Sequence, residues 1–262
     1  MCGRYILVQK VETIEKRFNV LAPEGFQWKA SYNIAPGQLA PVVTSAQPRY
    51  LDLMVFGLTP YWAKKPMYLF NARAEGDRNK ENKPDYSGAK DIINKPAFRK
   101  PVRSRRCLVI ADAFIEGTTD KGLKQPYLVY LRDGVRPFAM AGIFDEWKNP
   151  ETGELLRSFS IITTPPNSLM QKLPHHRMPL ILEPEQEKRW LNPDTPLAEI
   201  TRMMRSFPAD RMNAYPISPE ISNARNNAKE LIQPAGERIM PEFETRRDEE
   251  IRLQGMGRYK KP

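Results

Sequence analysis

Apolar residues at every second position predict β-strands along most of the chain. Between residues 50 and 58, Leu51, Leu53 and Val55 follow this spacing, which is typical of a strand with one buried face. Similar apolar runs predict strands at 5–8, 39–44, 107–115, 127–131, 138–144, 158–163, 178–182 and 212–217.

Helical spacing is confined to three shorter segments. Val11, Ile14 and Phe18 recur at i, i+3 and i+7, which predicts an amphipathic helix over 11–20. Two more helices are predicted at 184–191 and 197–207. The strands outnumber the helices and do not alternate with them regularly, so the pattern favours an α+β fold over a doubly wound sheet.

The remaining segments predict how the chain is organised. Residues 31–37 look irregular, and the polar segment 76–95, with its Gly and Pro residues, predicts a surface loop or insertion. Beyond about residue 235 the chain is charged and has few large apolar residues. We therefore expect one domain over 1–235 and a loosely held tail over 236–262.

Composition and charge exclude several classes of protein. The 262 residues carry 41 Lys and Arg against 31 Asp and Glu, a net charge of +10, which favours a polyanionic partner such as nucleic acid. Two Cys and two His do not suffice for a disulfide scaffold and predict neither a metal site nor a cofactor. The low cysteine content leads us to expect a reducing, cytoplasmic setting. Neither a signal peptide nor a membrane-spanning segment is predicted.

Cys2 is the first candidate for chemistry. Removal of Met1 would leave a terminal cysteine, whose α-amine has a pKa near ~7.7 and is partly neutral at physiological pH. Its amine and thiol together can capture an aldehyde and close a thiazolidine ring, or the residue can attack an amide. The alternative is an ordinary small residue after the start codon.

Three other titratable residues are candidates for proton transfer. The chain's two histidines, His175 and His176, adjoin each other in a predicted loop, which concentrates titration near neutral pH at one place. Glu116 follows an apolar run, where a carboxyl group can have a shifted pKa. Each of these residues can equally be an ordinary solvated group at a turn or strand end.

Two further features suit the binding of nucleic acid. Asn71 and Arg73 point the same way on an extended chain and together offer an amide and a phosphate-binding guanidinium. The segment 95–106 carries six Lys or Arg residues and no acidic residue, and Trp62 lies in an aromatic and basic stretch. Cations that track phosphates and rings that stack on bases are typical of single-strand binding, although a solvated charged face and a core Trp62 are the alternatives.

These features occur in a specific order along the chain. The series comprises CGRY at 2–5, YNIAPGQ at 32–38, FGLTPYWAK at 56–64, NARAE at 71–75, PAFR at 96–99, RCLVIADAFIE at 106–116, AGIFDEW at 141–147, IITT at 161–164 and HHRMP at 175–179. It resembles the SRAP (SOS response-associated peptidase) family over about residues 2–217. The departures are Phe56, Ile115 and Gly117, which stand where that family often has larger aromatic residues, and the long 76–95 segment.

The resemblance implies a fold, a partner and a set of roles. It implies a single compact domain with a barrel-like, bifurcated, mainly antiparallel sheet flanked by helices. It also implies that single-stranded DNA with abasic sites is bound and crosslinked through Cys2, with Asn71 orienting the terminal residue, Glu116 transferring protons and His175 assisting opening of the sugar ring. The DNA-contact positions that it implies are Arg4, Asn33, Trp62, Arg73, Arg99, Thr164 and Arg177.

Three hypotheses therefore stand. The first is an abasic-site crosslinking protein with possible self-processing at the Met1–Cys2 bond, acting as a monomer in the cytoplasm and joining the nucleoid when DNA is damaged. The second is an N-terminal-nucleophile peptidase or amidase that acts in trans. The third is a non-catalytic module that binds single-stranded DNA. Covalent adducts, peptide turnover and reversible binding distinguish the three.

Overall fold

A computed structural model describes residues 2–242, which form thirteen strands and five short α-helices. The strands are β1 (Arg4–Leu7), β2 (Ser31–Ile34), β3 (Leu39–Thr44), β4 (Leu51–Phe56), β5 (Asn71–Arg73), β6 (Arg106–Ala111), β7 (Ala113–Thr118), β8 (Gly122–Leu131), β9 (Phe138–Lys148), β10 (Leu155–Thr164), β11 (Met178–Pro179), β12 (Ile181–Leu182) and β13 (Met212–Pro216). The helices are α1 (Val11–Phe18), α2 (Pro101–Ser104), α3 (Ser168–Lys172), α4 (Pro184–Leu191) and α5 (Leu197–Met203).

The larger sheet closes on itself. Strands β4, β3, β6, β9 and β10 pair in that order, and β10 pairs with both β9 and β4, so the five strands form a barrel-like ring. Buried Phe56 of β4 stacks on Phe159 of β10, with ring centroids 5.2 Å apart. The smaller sheet has the order β13-β8-β7-β1-β2. The predicted α+β class and barrel-like sheet are confirmed.

The two sheets separate where the sequence predicted one strand over 107–115. Strand β6 belongs to the barrel and β7 to the smaller sheet, with Asp112 between them. The Asp112 carboxylate accepts hydrogen bonds from the backbone amides of Val8 at 2.7 Å and Gln9 at 3.3 Å. A polar side chain that satisfies the backbone donors just after β1 thus lies at the point where the two sheets separate.

Several predicted element bounds need correction. Strands β8, β9 and β10 are longer than predicted, and 178–182 forms two short strands rather than one. Residues 31–34 form a strand although the sequence looked irregular, because Ser31 and Ile34 pair with β1. The helix predicted over 197–207 ends at Met203.

Part of the predicted tail packs against the smaller sheet. The backbone amide of Ile239 donates to the Ala214 carbonyl at 2.9 Å, and Tyr130 donates to the Glu242 carboxylate at 3.0 Å. The rest of that predicted tail, 243–262, lies outside the described residues, so the boundary at 235 stays a prediction. No helix within 2–242 has the length and apolar character needed to cross a membrane.

Candidate active site

Cys2 lies fully buried just before β1, where it contacts Asn71 of β5. Asn71 donates from Nδ2 to the Cys2 carbonyl at 2.8 Å and to the Phe70 carbonyl at 2.9 Å. Asn71 begins β5, whose parallel register with β10 places it opposite Ile161. Pairing of β5 with β10 therefore fixes the amide that holds the N-terminal segment.

Glu116 reaches the same place from the neighbouring strand. Strands β1 and β7 are antiparallel with Arg4 opposite Ile115, which brings the residues before Arg4 close to Glu116. The Cys2 thiol and the Glu116 carboxyl group lie close enough for each to shift the pKa of the other. The Glu116 side chain is only 3% exposed, so this contact is shielded from bulk water.

His175 completes the cluster from the loop after α3. Its Nδ1 lies 2.7 Å from the Gly117 carbonyl oxygen, and its Nε2 lies 3.2 Å from Oε2 of Glu116. A carbonyl oxygen only accepts, so Nδ1 carries the proton that is donated to it. In the neutral imidazole Nε2 is then an acceptor, and the proton in the contact with Glu116 belongs to the carboxylic acid.

Burial shifts the pKa of all three titratable groups. It raises the pKa of Glu116 to about 7 and lowers the pKa of His175 to about 3. Burial also raises the pKa of the Cys2 thiol, and the negative charge of Glu116 raises it further. Near neutral pH the imidazole is therefore neutral, the thiol is protonated, and Glu116 is the group that both gives and takes a proton.

Gly117 shapes the strand that presents Glu116. The pairing of β7 with β8 shifts register at Gly117, and a Cβ atom on that residue would lie 1.9 Å from the carbonyl oxygen of Gly122. Only glycine fits there. This close approach is consistent with the absence of a large aromatic residue at position 117 and leaves the Gly117 carbonyl free to hold His175.

A cavity of about 200 Å³ adjoins this cluster. Glu116, His175 and Arg4 line it, together with His176 and Thr119. The His176 ring stacks on that of His175 at a centroid distance of 5.2 Å, and its Nδ1 lies 3.1 Å from the Thr119 hydroxyl. Polar side chains thus form part of the cavity wall, and the acid–base pair is among them.

Three of the seven residues predicted to contact DNA lie inside the protein. Asn33 is 1% exposed and donates to backbone carbonyls of the segment 221–226. Thr164 is fully buried, and its hydroxyl accepts from that of Ser206 at 3.4 Å. Arg177 is 2% exposed. This burial argues against direct DNA contact for Asn33, Thr164 and Arg177 and assigns them to internal bracing.

Arg177 is engaged by a residue that the sequence did not single out. Its guanidinium donates to both carboxylate oxygens of Glu75, at 2.7 and 2.8 Å, and to the Thr163 carbonyl at 2.8 Å. Burial acts to raise the pKa of Glu75, but the bidentate contact with Arg177 holds that pKa below its usual value. Glu75 is the last residue of the NARAE motif. Its role as the ion-pair partner of Arg177 is visible only in the fold, because the two residues are 102 positions apart in the sequence.

The other four predicted DNA contacts are at least partly exposed. Trp62 is 47% exposed and, with Arg99, lines a cavity of about 300 Å³ on the surface. Arg4 lines the cavity beside Cys2. Arg73 is half-buried and donates to the Asn82 side chain at 2.9 Å. The roles of these four residues stay predictions.

The loop that carries Trp62 is anchored on the barrel. The backbone amide of Tyr61 donates to Asp145 at 2.9 Å, and the Trp147 indole donates to the Ala63 carbonyl at 2.6 Å. Lys100 places its ammonium group over the Tyr61 ring, 4.4 Å from the centroid. Aromatic and basic side chains thus share one rigid surface site.

Among residues 2–242, His, Cys, Asp and Glu form no cluster suited to a metal ion.

Comparison with protein families gives one match over most of the chain. The model of the SOS response associated peptidase (SRAP) family matches residues 1–224. The chain is 36% identical over 241 residues to the abasic site processing protein YoqW of Bacillus subtilis, with 89% of this chain and 99% of that protein covered. It is 29% identical over 238 residues to the abasic site processing protein HMCES of Gallus gallus, with 79% and 67% covered.

Solved structures share the architecture. A crystal structure of a protein from Bacteroides thetaiotaomicron aligns with a TM-score of 0.71 and 30% identity, covering 84% of this chain and 93% of that one. A protein from Bordetella bronchiseptica aligns with a TM-score of 0.64 at 21% identity, covering 83% and 100%, and this likeness concerns the fold alone.

Proposed function

The chain belongs to the SRAP family, and from this premise we propose that it processes abasic sites in single-stranded DNA by forming a covalent crosslink through Cys2. The relatives named as abasic site processing proteins support a role in DNA repair. The observation that carries the finer proposal is the contact of Cys2 with both Asn71 and Glu116, beside the Glu116–His175 pair.

The proposed chemistry uses both nucleophilic atoms of one residue. Removal of Met1 exposes the α-amine of Cys2, which attacks the aldehyde carbon of the ring-opened abasic sugar. Glu116 protonates the hydroxyl of the adduct, which leaves as water and gives an iminium ion. The Cys2 sulfur then adds to the iminium carbon while the thiol proton passes back to the Glu116 carboxylate. The product is a thiazolidine, and its ring closure is intramolecular, where effective molarities reach about 10⁵ M or more.

Glu116 and His175 have complementary roles in this scheme. A carboxyl group with a pKa of about 7 can protonate the departing water and take up the thiol proton at physiological pH. His175, held neutral by burial, presents its Nε2 lone pair to that carboxyl group. We assign it the proton transfer that opens the sugar ring, with the cavity of about 200 Å³ as the place where the sugar binds.

The DNA strand would be held by charge and stacking. The net charge of +10 and the partly exposed Arg4, Arg73 and Arg99 favour binding of phosphates. Trp62, with half of its surface exposed, offers a ring on which a base can stack without sequence preference. Action as a monomer, on DNA in the cytoplasm or nucleoid, belongs to the same proposal.

The peptidase hypothesis has weaker physical support. A peptidase that attacks with a thiolate needs a thiol with a lowered pKa, whereas burial raises the pKa of Cys2. Removal of Met1, whether by self-processing or by an aminopeptidase, remains compatible with the crosslinking proposal because it happens once and precedes it.

Crosslinking on a denaturing gel tests the proposal. The wild-type chain should shift an abasic single-stranded oligonucleotide into a band that survives heating, and undamaged DNA should not give that band. Cys2→Ala should abolish the stable band, whereas Cys107→Ala, which removes the other buried thiol in the described chain, should retain it. A wild-type chain without the shifted band, or a Cys2→Ala variant that retains it, would overturn the proposal.

A further inference from the structure

A second and larger cavity lies along the long 76–95 segment. Its volume is about 650 Å³, and its other wall is the end of α5 with the residues that follow it. We call it the insertion groove. Its lining includes the basic residues Arg78, Lys90, Arg202 and Arg205, the ring of Tyr86 and one acidic residue, Asp91.

The charge of the insertion groove is strongly unbalanced. Asp91 is engaged by Lys95 at 3.3 Å, which leaves little negative charge to offset the groove's cations. Within residues 2–242, Lys90, Arg202 and Arg205 form no ion pair. Burial lowers the pKa of Lys90, the nearby charge of Glu75 raises it, and the charges of Arg177 and Arg205 lower it. Because Glu75 is itself paired with Arg177, positive charge is in excess at the groove, which favours a polyanion.

The groove is connected to the candidate active site by the chain itself. Arg73, two residues after Asn71, donates to Asn82 at the start of the 76–95 segment. Ser206 of the opposite wall donates to the carbonyl of Pro165, the residue that follows β10. Strand β10 pairs with β5, which begins with Asn71. Arg78 is seven positions after Asn71, so its Cα lies at most about 25 Å from that of Asn71, whose side chain contacts Cys2.

We propose that the insertion groove binds the phosphate backbone of the same DNA strand that carries the abasic site, several nucleotides from the crosslink. This inference rests on the proposed function and assigns a role to the 76–95 segment. Cations spread over both walls of an open groove suit a run of phosphates better than one small anion, and Tyr86, with Lys90 5.7 Å from its ring centroid, adds an aromatic face.

Equilibrium binding of undamaged single-stranded DNA tests this inference without interference from crosslinking. Arg202→Ala/Arg205→Ala removes two exposed groove cations. The matched control, Arg49→Ala/Lys188→Ala, removes the same charge from another cavity of about 650 Å³, between α1 and α4. Each double variant lowers the net charge by two, so the difference between them reports position rather than total charge.

We expect the groove variant to bind an oligonucleotide of about 20 nucleotides roughly 25-fold more weakly than wild type at 0.1 M salt. This loss is what counterion release predicts when two phosphate contacts are removed. The slope of log K against log[salt] should become less steep by about 1.4. The control variant should lose much less. A groove variant whose affinity and salt slope equal those of the control would overturn the inference.

A length series separates this inference from the proposed function. With an abasic oligonucleotide of about 5 nucleotides at saturating concentration, the groove variant should crosslink at the wild-type rate, because the short strand does not reach the groove. Extension of that strand on one side, 5′ or 3′, should restore the difference in affinity between wild type and variant. If neither extension does so while crosslinking is intact, the groove assignment is wrong and the crosslinking proposal stands.

Discussion

Nε2 of His175 lies 3.2 Å from Oε2 of Glu116, while Nδ1 of the same ring is bound to a backbone carbonyl. This geometry gives the pair one shared proton, which resides on the carboxyl group when the imidazole is neutral. A buried acid that is half-ionised near pH 7 is suited to chemistry that first releases water and then accepts a thiol proton. The same geometry makes protein stability depend on pH.

Glu116→Gln should change the pH dependence of the free energy of unfolding. Burial raises the pKa of Glu116 from 4.5 to about 7, so the folded state binds this proton more tightly than the unfolded chain. The resulting stabilisation is complete below about pH 4.5 and is lost as pH rises through 7. Between pH 4.5 and 8 the variant should therefore gain up to about 3 kcal/mol relative to wild type, measured by urea unfolding. A constant difference between the two proteins across this range would show that Glu116 has an ordinary pKa.

Asn71→Ala should slow crosslinking without weakening DNA binding. The amide of Asn71 holds the Cys2 carbonyl at 2.8 Å, and its loss leaves the terminal residue free to move away from the sugar. A displacement of about 1 Å costs on the order of 100-fold in rate. Single-turnover rates at saturating abasic DNA, beside the Kd for undamaged DNA, separate the two effects. An unchanged rate would contradict this positioning role, and a loss confined to Kd would place Asn71 in DNA binding instead.

Glu75→Ala should destabilise the fold because it leaves Arg177 charged and buried. Removal of one partner of such a pair costs about 3–5 kcal/mol, and Arg177 is 2% exposed with both terminal nitrogens bound to Glu75. The double variant Glu75→Leu/Arg177→Met should recover most of that loss in thermal or urea unfolding. If Arg177→Met instead keeps full stability and loses affinity for DNA, then Arg177 contacts DNA as the sequence predicted.

Trp62→Ala should weaken binding of single-stranded DNA by about 1–3 kcal/mol, which is about 5- to 150-fold in Kd. Its ring is 47% exposed, so the thermal unfolding midpoint should change little. Tyr50→Ala is the matched control, since Tyr50 is a comparably exposed ring, 44%, at the start of β4. Equal losses of affinity in the two variants would mean that Trp62 provides no specific stacking surface.

The sequence predicted most strands and the class of the fold, because burial of one face leaves a periodic trace. It located β3, β4 and α4 closely, but it joined β6 and β7 into one strand. Asp112 looked like a polar residue within an apolar run, and its hydrogen bonds to the backbone amides that follow β1 depend on a contact 104 residues distant. Local pattern carries no information about such a partner.

The residues of the candidate site could be predicted from sequence motifs, whereas their arrangement in space could not. The resemblance to a known family identified Cys2, Asn71, Glu116 and His175. Strand pairing brings the first three together, and the loop after α3 adds His175. The roles of the arginines were harder to predict, because the sequence does not distinguish a buried arginine such as Arg177 from a partly exposed one such as Arg4. Only the fold shows that Glu75 neutralises Arg177 inside the protein while Arg4 lines the cavity.

The intact mass of the covalent product tests the central claim most directly. The crosslink proposed here has the mass of the Met1-free chain plus the abasic oligonucleotide minus one water. Treatment with borohydride should leave that mass unchanged, because a thiazolidine has no imine left to reduce. An adduct that still contains Met1, an adduct that gains two hydrogens on reduction, or the absence of any adduct would contradict the account.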